Sequence, residues 1–453
     1  MSGKKGLDLT RGSIPKILMR LSTPIVLSML MFTLYLVADL YFVSRLGPDA
    51  VAAVSISGNA FFFLLGLSIV LGTGGMTLIA QRVGAGDREG ANRVFQQVLV
   101  ATVWTGVGIC MIGLVIAVPY IRFFGGVDRS LTWGVEYFRI YAVSFPLVLM
   151  LHVLAPCFRG VGNTRTPMLI TLQSLILNVI LDPLLIFGIW GIPGLGVKGA
   201  ALASLVAHLY ALFLYALGFS KGRHTLRPTW SPRLDPAVLK RCLSIGVPSG
   251  ITYFLIAINM LIIYRIISAY GTSALASVGI GYRILQTTYL PAFALTSAMG
   301  AVVGQNYGAG HLERIHGTLR TGWLTSGVLM AAGTGLCRLV PERLLGLFTD
   351  DPEVLRYGVA YLSVLSLGNV IVGTIMAVSS VFQGIGKTYP TFVAAVVDNA
   401  LFALLGFTLP GIMGWGIDAV WWIKLSTAAV EMLVVGTWLR RELVRLRVTA
   451  VRE

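Results

Sequence analysis

Charged residues are scarce in this chain. Only 12% of its 453 residues are Asp, Glu, Lys or Arg, whereas a soluble globular domain has about 25%. The hydrophobic share is 56% and the mean hydropathy is +0.81. Because so few charges cannot cover a soluble surface, this composition excludes a cytosolic enzyme, a disordered protein and a secreted disulfide scaffold.

Cysteines and catalytic motifs are also sparse. Cys110, Cys157, Cys242 and Cys337 are far apart and lie in or beside apolar runs, so we interpret them as small core residues. HExxH, GxSxG and P-loop motifs are absent, which argues against an intramembrane enzyme and against ATP as the energy source. We expect no cofactor. No basic and aromatic patch outside the apolar runs indicates nucleic-acid binding.

Long apolar runs dominate the sequence instead. A membrane-spanning helix needs about 20 apolar residues, and twelve such runs predict an all-α polytopic membrane protein. The predicted spans are 17–44, 51–81, 94–121, 136–158, 166–188, 196–219, 241–269, 275–304, 317–340, 357–382, 389–410 and 416–438. An even number of spans places both ends of the chain on one side of the membrane.

The distribution of Lys and Arg predicts which side that is. If the N-terminus is cytoplasmic, the inner segments hold 24 of the 35 basic residues and the outer segments hold 8. Arg265, Arg283 and Lys424 lie within spans. Because basic residues accumulate in cytoplasmic loops, we expect both termini in the cytoplasm and the protein in the plasma or inner membrane.

The chain contains a repeat at a fixed offset of 224 in the numbering, which takes Pro24 to Pro248. AQRVGAGD at 80–87 corresponds to GQNYGAGH at 304–311, and FRGVGNT at 158–164 to FQGIGKT at 382–388. The register then slips by four. Since each copy holds six spans, the copies insert with the same orientation, and we predict two six-helix lobes related by a pseudo-two-fold axis along the membrane normal. The predicted parts are the N-lobe 1–219, a cytoplasmic linker 220–240, the C-lobe 241–439 and a basic cytoplasmic tail 440–453.

Three polar residues of the first copy have no polar counterpart in the second. Asp39, Asn178 and Asp182 correspond to an isoleucine, a phenylalanine and a glycine. Asn178 and Asp182 are one helical turn apart on span five. With a helical rise of about 1.5 Å per residue, Asp39, Asp182 and Ser204 lie in the outer half of their spans, and Tyr35 is one turn from Asp39. These residues are therefore predicted to share one pocket.

The chemistry of such a pocket follows from the cost of burying charge. An ionised carboxylate in hydrocarbon costs several kcal/mol, so the acids either take up a proton or, ionised, hold a hard cation such as Na+. The alternative is that each acid simply reaches water at the outer interface. Pro183 disfavours regular helix next to Asp182, and Pro24 allows span one to bend. We interpret both prolines as hinges.

The motifs resemble the multidrug and toxic compound extrusion (MATE) family. The resemblance covers nearly the whole chain. Within the family, the sequence looks like the prokaryotic DinF-like branch. It is carried by RLSTP at 20–24, LYLVADLYFVSRLGPDAVAAV at 34–54, the GAG–D–EGAN element at 84–92, FRGVGNTRTPM at 158–168 and LNVILDPLLIFG at 177–188.

This resemblance implies a secondary active multidrug antiporter that works by alternating access. It would export amphipathic, often cationic compounds from a cleft between the lobes in exchange for H+ or Na+, as a monomer in the bilayer. The implied cation-coupling residues are Asp39, Asn178 and Asp182, with Tyr35, Ala200 (through its carbonyl) and Ser204 as weaker members. If the ion is Na+, its ligands would come from Asp39, Asn178, Asp182 and Ser204.

Other polar residues within the spans leave alternatives open. The candidate cavity residues are Asp398, Asn259, Asn369 and His152. Asp398 is interpreted either as a cavity residue or as the partner of a basic residue, and His152 either as a proton carrier or as a satisfied core histidine. Lys424 and Glu431, seven positions apart, are expected to form a structural pair, and Arg283 is expected to brace span eight.

Two other functions compete with drug antiport. One is a lipid-linked oligosaccharide flippase, a function that a resemblance to the same superfamily also allows. Twelve spans and few basic residues within the membrane do not favour this function. The other is a membrane-embedded enzyme, which is not favoured because the sequence contains no recognisable set of catalytic residues.

Overall fold

The protein is built from helices. The computed structural model describes residues 6–188, 193–228 and 233–452, and no strand occurs in those ranges. The helices are α1 Ile14–Ser44, α2 Pro48–Gly84, α3 Arg88–Phe123, α4 Asp128–Gly160, α5 Arg165–Pro183, α6 Val197–Ser220, α7 Pro236–Ile267, α8 Thr272–Gly308, α9 Leu312–Leu339, α10 Pro341–Gly346, α11 Pro352–Leu365, α12 Asn369–Ile385, α13 Tyr389–Met413 and α14 Ile417–Arg452. A π-helical turn, Leu184–Gly188, continues α5, and 3₁₀ turns follow α7 and α11 at Ser268–Tyr270 and Ser366–Gly368.

Each of the twelve predicted spans coincides with a long helical segment. Span ten is formed by α11 and α12 around their 3₁₀ turn, and α10 is a short helix between spans nine and ten. Ten of the segments are long and apolar enough to cross a membrane, whereas α8 and α9 are less apolar. The helices extend beyond the predicted limits because a helix continues past its apolar run to its caps, as at Asp87, whose carboxylate accepts a hydrogen bond from the Gly90 backbone.

The helix boundaries reproduce the sequence repeat. Helices α8, α9, α11 and α13 begin at the repeat counterparts of the first residues of α2, α3, α4 and α5, and the start of α14 follows that of α6 with the predicted slip of four. The loop glycines repeat as well. Gly47 and Gly271 have φ of 104° and 99°, and Gly86 and Gly310 have φ of 76° and 73°. Only glycine adopts these angles at no cost, so the same turns are built twice.

The chain divides into two compact units. The first contains residues 6–8 and Thr23–Gly246, and the second contains Leu9–Ser22 and the chain from Val247 onwards. The division falls inside α1 just before Pro24 and inside α7 just before Pro248. These two prolines are the repeat counterparts of each other. Each removes a backbone donor from its helix, so the chain passes between the units where its helical hydrogen bonding is weakest.

Small residues let the helices of the first unit approach closely. Gly74 and Gly75 on α2 lie against the side chains of Cys242 and Cys157. Cys157, Cys242 and Cys337 are buried free thiols, and Cys110 is partly buried. Large apolar side chains lie at the surface instead: Val115 is 79% exposed. A surface of this kind fits a hydrocarbon solvent.

The described part of the segment between α6 and α7 is fixed to α3. Asp235 pairs with Arg93 and accepts hydrogen bonds from the backbone at the start of α7. Its own backbone N–H donates to Gln97. The N–H of Arg227 donates to Asn92 Oδ1 at 2.9 Å. The prolines of this segment include Pro232, which lies outside the described residues.

Candidate functional site

The end of α5 presents an acid and an amide on one face. Asn178 and Asp182 lie one turn apart, and both are fully buried. Asn178 Nδ2 donates to Asp182 Oδ1 at 3.2 Å. The remaining oxygens, Asn178 Oδ1 and Asp182 Oδ2, are buried and have no hydrogen-bond partner. Each of the two side chains therefore has one oxygen acceptor without a hydrogen-bond partner.

Span five changes its winding directly after Asp182. Pro183 ends α5, and the π-helical turn follows. π-turns are typical of functional sites within helices. A side chain at Gly199 would overlap the carbonyl of Leu185 in that turn. Glycine at this position therefore lets α6 pack closely on span five, and Ala200 follows as a fully buried residue.

Helix α1 contributes the second acid. Asp39 is only 8% exposed, and its Oδ1 has no hydrogen-bond partner. It lies close enough to Asp182 for the two charges to interact. One turn earlier on α1, Tyr35 Oη donates to Ser204 Oγ at 2.8 Å, which links α1 to α6. The structure thus brings together the acids, amide and hydroxyls that the sequence predicted to share a pocket.

Nothing in the described chain neutralises the two acids. Neither Asp39 nor Asp182 forms an ion pair with any described Lys, Arg or His. Three buried oxygens, one each from Asp39, Asn178 and Asp182, remain without a partner. Leaving such groups unpaired is costly, so the site fits a proton or a small hard cation, for which oxygen is the preferred ligand.

Two tyrosines of α4 belong to the same site. Tyr137 and Tyr141 both lie near Asp39, and Tyr137 also lies near Asp182. Both rings lie in the apolar cluster that includes Ala200. Neither tyrosine was predicted from the sequence to be a site residue. A signal existed for Tyr141, since its repeat counterpart is Leu365.

The counterparts of the two acids and the amide in the second unit are not polar. Ile263 and Phe402, the counterparts of Asp39 and Asn178, are buried in one hydrophobic cluster. Gly406, the counterpart of Asp182, lies against Ile266. Within the described ranges, the acidic pocket therefore occurs in the first unit and is not repeated in the second.

Asp398 pairs with Lys424. Lys424 Nζ lies 2.6 Å from Asp398 Oδ2 and 5.2 Å from the ring centre of Phe402. The expected pair of Lys424 with Glu431 was wrong: the two form no ion pair among the described residues. Residues seven apart are two turns apart along α14, so Lys424 instead reaches the nearer carboxylate on the neighbouring α13.

The remaining candidate residues belong to different units. Asn259 Nδ2 donates to Asn399 Oδ1 at 3.1 Å in the second unit. Asn369, directly after the 3₁₀ turn of span ten, is fully buried, and neither polar atom of its amide has a partner. His152 is in the first unit and shares a hydrogen bond with the carbonyl of Val148 at 2.9 Å.

Arg283 does not brace its helix in the described structure. Its guanidinium makes no hydrogen bond or ion pair with any described residue. It lines a cleft of about 380 Å³ between α7 and α8, together with Tyr264, Tyr282 and Gln286.

Comparison with known proteins gives the family. Residues 24–184 and 248–408 each match the family model MatE. The chain belongs to the MATE family. The second match begins and ends at the repeat counterparts of the first, as the sequence predicts.

Relatives and solved structures agree with this assignment. The chain is 26% identical over 415 residues to the probable multidrug resistance protein YoeA of Bacillus subtilis, which covers 88% of this chain and 89% of YoeA. It is 25% identical over 455 residues to the probable multidrug resistance protein NorM of Thermotoga maritima, with 96% of each chain covered. A solved MOP superfamily transporter from Pyrococcus furiosus superposes with a TM-score of 0.89 at 26% identity, over 99% of this chain and all of that one.

The comparisons confirm the broad predictions from sequence. The protein is an all-helical, multi-pass membrane protein with the MATE fold. Members of this family are transporters, and the relatives named above are multidrug resistance proteins. The family resemblance seen in the sequence motifs is therefore correct.

Proposed function

We propose that this MATE protein is a secondary active multidrug antiporter. It exports amphipathic, often cationic compounds in exchange for H+, or for Na+, by alternating access, and it acts as a monomer. The observation that carries this proposal is the pair of buried, uncompensated acids Asp39 and Asp182. Two carboxylates without a basic partner stay in a low-dielectric interior only if a proton or another cation neutralises them, and a cation that is not part of the chain is free to exchange.

Protonation is the simplest way to neutralise this pocket. A proton on either carboxyl removes one charge and turns an oxygen without a partner into a donor. The oxygens of Asp39, Asn178 and Asp182 that lack partners also suit Na+, which would be cargo of the exchange and not a resident cofactor. The described residues fit either ion, so the experiment below separates them.

The proposed orientation has both termini in the cytoplasm of the plasma or inner membrane. It rests on the threefold excess of basic residues in the segments assigned to the inner side. In this arrangement the lobes are 1–219 and 241–439, joined by a cytoplasmic linker 220–240 and followed by a basic tail 440–453. Asp39 and Asp182 then lie toward the outer face, where an ion driven inward first reaches the pocket.

Two prolines are the proposed hinges. Pro24 stands at the division between the units within α1, and Pro183 stands between α5 and its π-turn. Pro24 interrupts regular helical hydrogen bonding on the same helix as Asp39, and Pro183 interrupts it next to Asp182. The flippase alternative is not favoured, because the relatives named above are multidrug resistance proteins.

The proposal is tested by replacing Asp39 with Asn. The purified protein is reconstituted in vesicles, and transport of a fluorescent lipophilic cation is followed under an imposed pH gradient and, separately, under a Na+ gradient. We expect Asp39→Asn to reduce gradient-driven transport at least about tenfold, since an amide neither takes up a proton nor balances a cation.

Asp87→Asn is the matched control. It makes the same chemical change in the same unit, but at an exposed helix N-cap where Asn is also accepted. The control should transport like the wild type. Wild-type transport that responds to neither gradient, or an Asp39→Asn variant as active as the control, would refute the proposed function. A response to only one gradient identifies the coupling ion.

A further inference from the structure

Two histidines continue the line of polar groups that begins at the acidic pocket. His208 lies one turn after Ser204 on α6, and its ring stacks on Tyr35 with 6.1 Å between ring centres. His152 on α4 lies within electrostatic range of His208. Together with the Tyr35–Ser204 hydrogen bond, these groups form a series inside the first unit.

His208 has an unused proton-binding atom. Its Nδ1 is buried and has no partner, and the ring makes no hydrogen bond with any described residue. Buried polar groups are almost always paired in proteins, so an unpaired imidazole nitrogen within a membrane protein requires an explanation. A position that only packed against Tyr35 would be filled as well by an apolar ring of the same size.

His152 is held with one nitrogen free. Its Nδ1 lies 2.9 Å from the carbonyl oxygen of Val148. A carbonyl only accepts hydrogen bonds, so Nδ1 carries the proton in the neutral ring and Nε2 keeps its lone pair. Phe32 and Phe61 pack edge-on against the ring, with centres 5.9 and 5.5 Å away. The ring is therefore fixed in orientation, with a basic atom available.

The series descends through the membrane. With a rise of about 1.5 Å per residue, Asp39 lies about 8 Å from the end of α1 and Ser204 about 10 Å from the start of α6, and these two helix ends are on the same side. His208 lies about 16 Å along α6, near the middle. His152 lies only about 12 Å from the opposite end, the C-terminus of α4.

Neither His152 nor His208 forms an ion pair with any described acidic side chain. The titratable group whose ring contacts His208 is Tyr35 on α1. Helix α2 contributes the phenylalanine already described.

We propose that His208 and His152 transfer protons between the Asp39–Asp182 pocket and the cytoplasm. The proposal rests on the proposed H+ antiport. A proton leaving a pocket carboxyl passes through the hydroxyls of Tyr35 and Ser204, each of which gains one proton and gives one up. It then binds one imidazole nitrogen of His208, whose opposite nitrogen releases a proton. It both reaches and leaves His152 at Nε2, because Nδ1–H stays bonded to the Val148 carbonyl. Ordered water bridges gaps longer than a hydrogen bond. Rotation of the hydroxyls and of the His208 ring restores the starting state before the next passage.

The test measures the rate of proton release separately from the number of protons released. Purified protein in detergent and weak buffer is mixed rapidly with tetraphenylphosphonium, and the protons released are followed with a pH-sensitive dye. We expect His208→Gln and His152→Gln to release as many protons as the wild type but at least about tenfold more slowly, because the acids are intact and the acid–base groups are gone. Binding affinity for the cation and the melting temperature should be unchanged.

His316→Gln is the matched control. His316 shares the same type of hydrogen bond with the carbonyl four residues earlier, 3.1 Å to Leu312, but it belongs to the second unit. It should release protons at the wild-type rate. Equal rates in all three histidine variants would overturn the relay, and so would slower release that accompanies weaker cation binding or a lower melting temperature.

Failure of the relay and failure of the proposed function give different results. If the proposed function is wrong, the wild type releases no protons, or Asp39→Asn releases as many as the wild type. If only the relay is wrong, Asp39→Asn loses the proton signal while His208→Gln and His152→Gln behave like His316→Gln.

Discussion

The buried pair of Lys424 and Asp398 gives a quantitative prediction about stability. Both side chains are largely covered, and their charged atoms are 2.6 Å apart. At an effective dielectric constant of about 20, charges at this distance attract by about 6 kcal/mol. Removing both charges from water costs a similar amount, so the pair as a whole contributes little to stability. Removing one partner is different, because the other is left as a buried, unpaired charge.

The perturbation is therefore Lys424→Met, alone and combined with Asp398→Asn. We expect the single change to lower the free energy of unfolding by about 3–5 kcal/mol, the usual cost of breaking a buried ion pair. In the double variant no unpaired charge remains at this position. We expect it to recover most of the loss and to lie within about 1–2 kcal/mol of the wild type.

The measurement is the unfolding of detergent-solubilised protein in increasing denaturant, followed by tryptophan fluorescence at a fixed detergent concentration. Lys198 is a suitable control, because its pair with Glu136 is about half exposed at the lysine. Lys198→Met should cost no more than about 1 kcal/mol. The reasoning is refuted if Lys424→Met is as stable as Lys198→Met, or if the double variant is no more stable than Lys424→Met.

Two further predictions concern the packing of α7 and the segment after α6. Gly246→Ala should destabilise the protein by about 1–3 kcal/mol in the same assay, because the added carbon would overlap the carbonyl oxygen of Val70. The control is Gly108→Ala, which has no atom near the added carbon and should be neutral or stabilising. Equal effects of the two substitutions would contradict the close packing at Gly246. Burial against Phe158 and Phe219 lowers the pKa of His224, so the folded state binds fewer protons than the unfolded state and stability falls as the pH drops below about 6.5. Melting temperatures between pH 7.5 and 5 should therefore decline less in His224→Gln than in the wild type, and parallel curves would exclude this contribution.

The acidic pocket was accessible from sequence because it combines two signals. Asp39, Asn178 and Asp182 are polar where the second copy of the repeat has an apolar residue or glycine, and helical rise places them at similar depth. Both signals depend on the covalent chain and on regular helix geometry, which the bilayer enforces. Their part in transport stays a prediction.

Contacts between helices could not be predicted in the same way. Lys424 was assigned to an acid on its own helix, but its partner is on α13, because the rotation of one helix against another is set by packing. His208 was overlooked although it also lacks a polar counterpart: the slipped register that applies to α6 leads to Ala428. Its significance depends on its stacking against Tyr35, which no spacing rule gives.

The same slipped register also relates Lys424 to a residue of the acidic pocket. It occupies the position in α14 that Ser204 occupies in α6, and its ammonium lies over Phe402, the counterpart of Asn178. The later half of the molecule thus carries a positive charge of its own, covalently tethered, at the place where the earlier half offers unfilled oxygens. A tethered ammonium cannot be exchanged between the two sides of a membrane. Under the proposed antiport, the number of ions moved per cycle is accordingly set by one half of the duplicated chain, although both halves share the architecture.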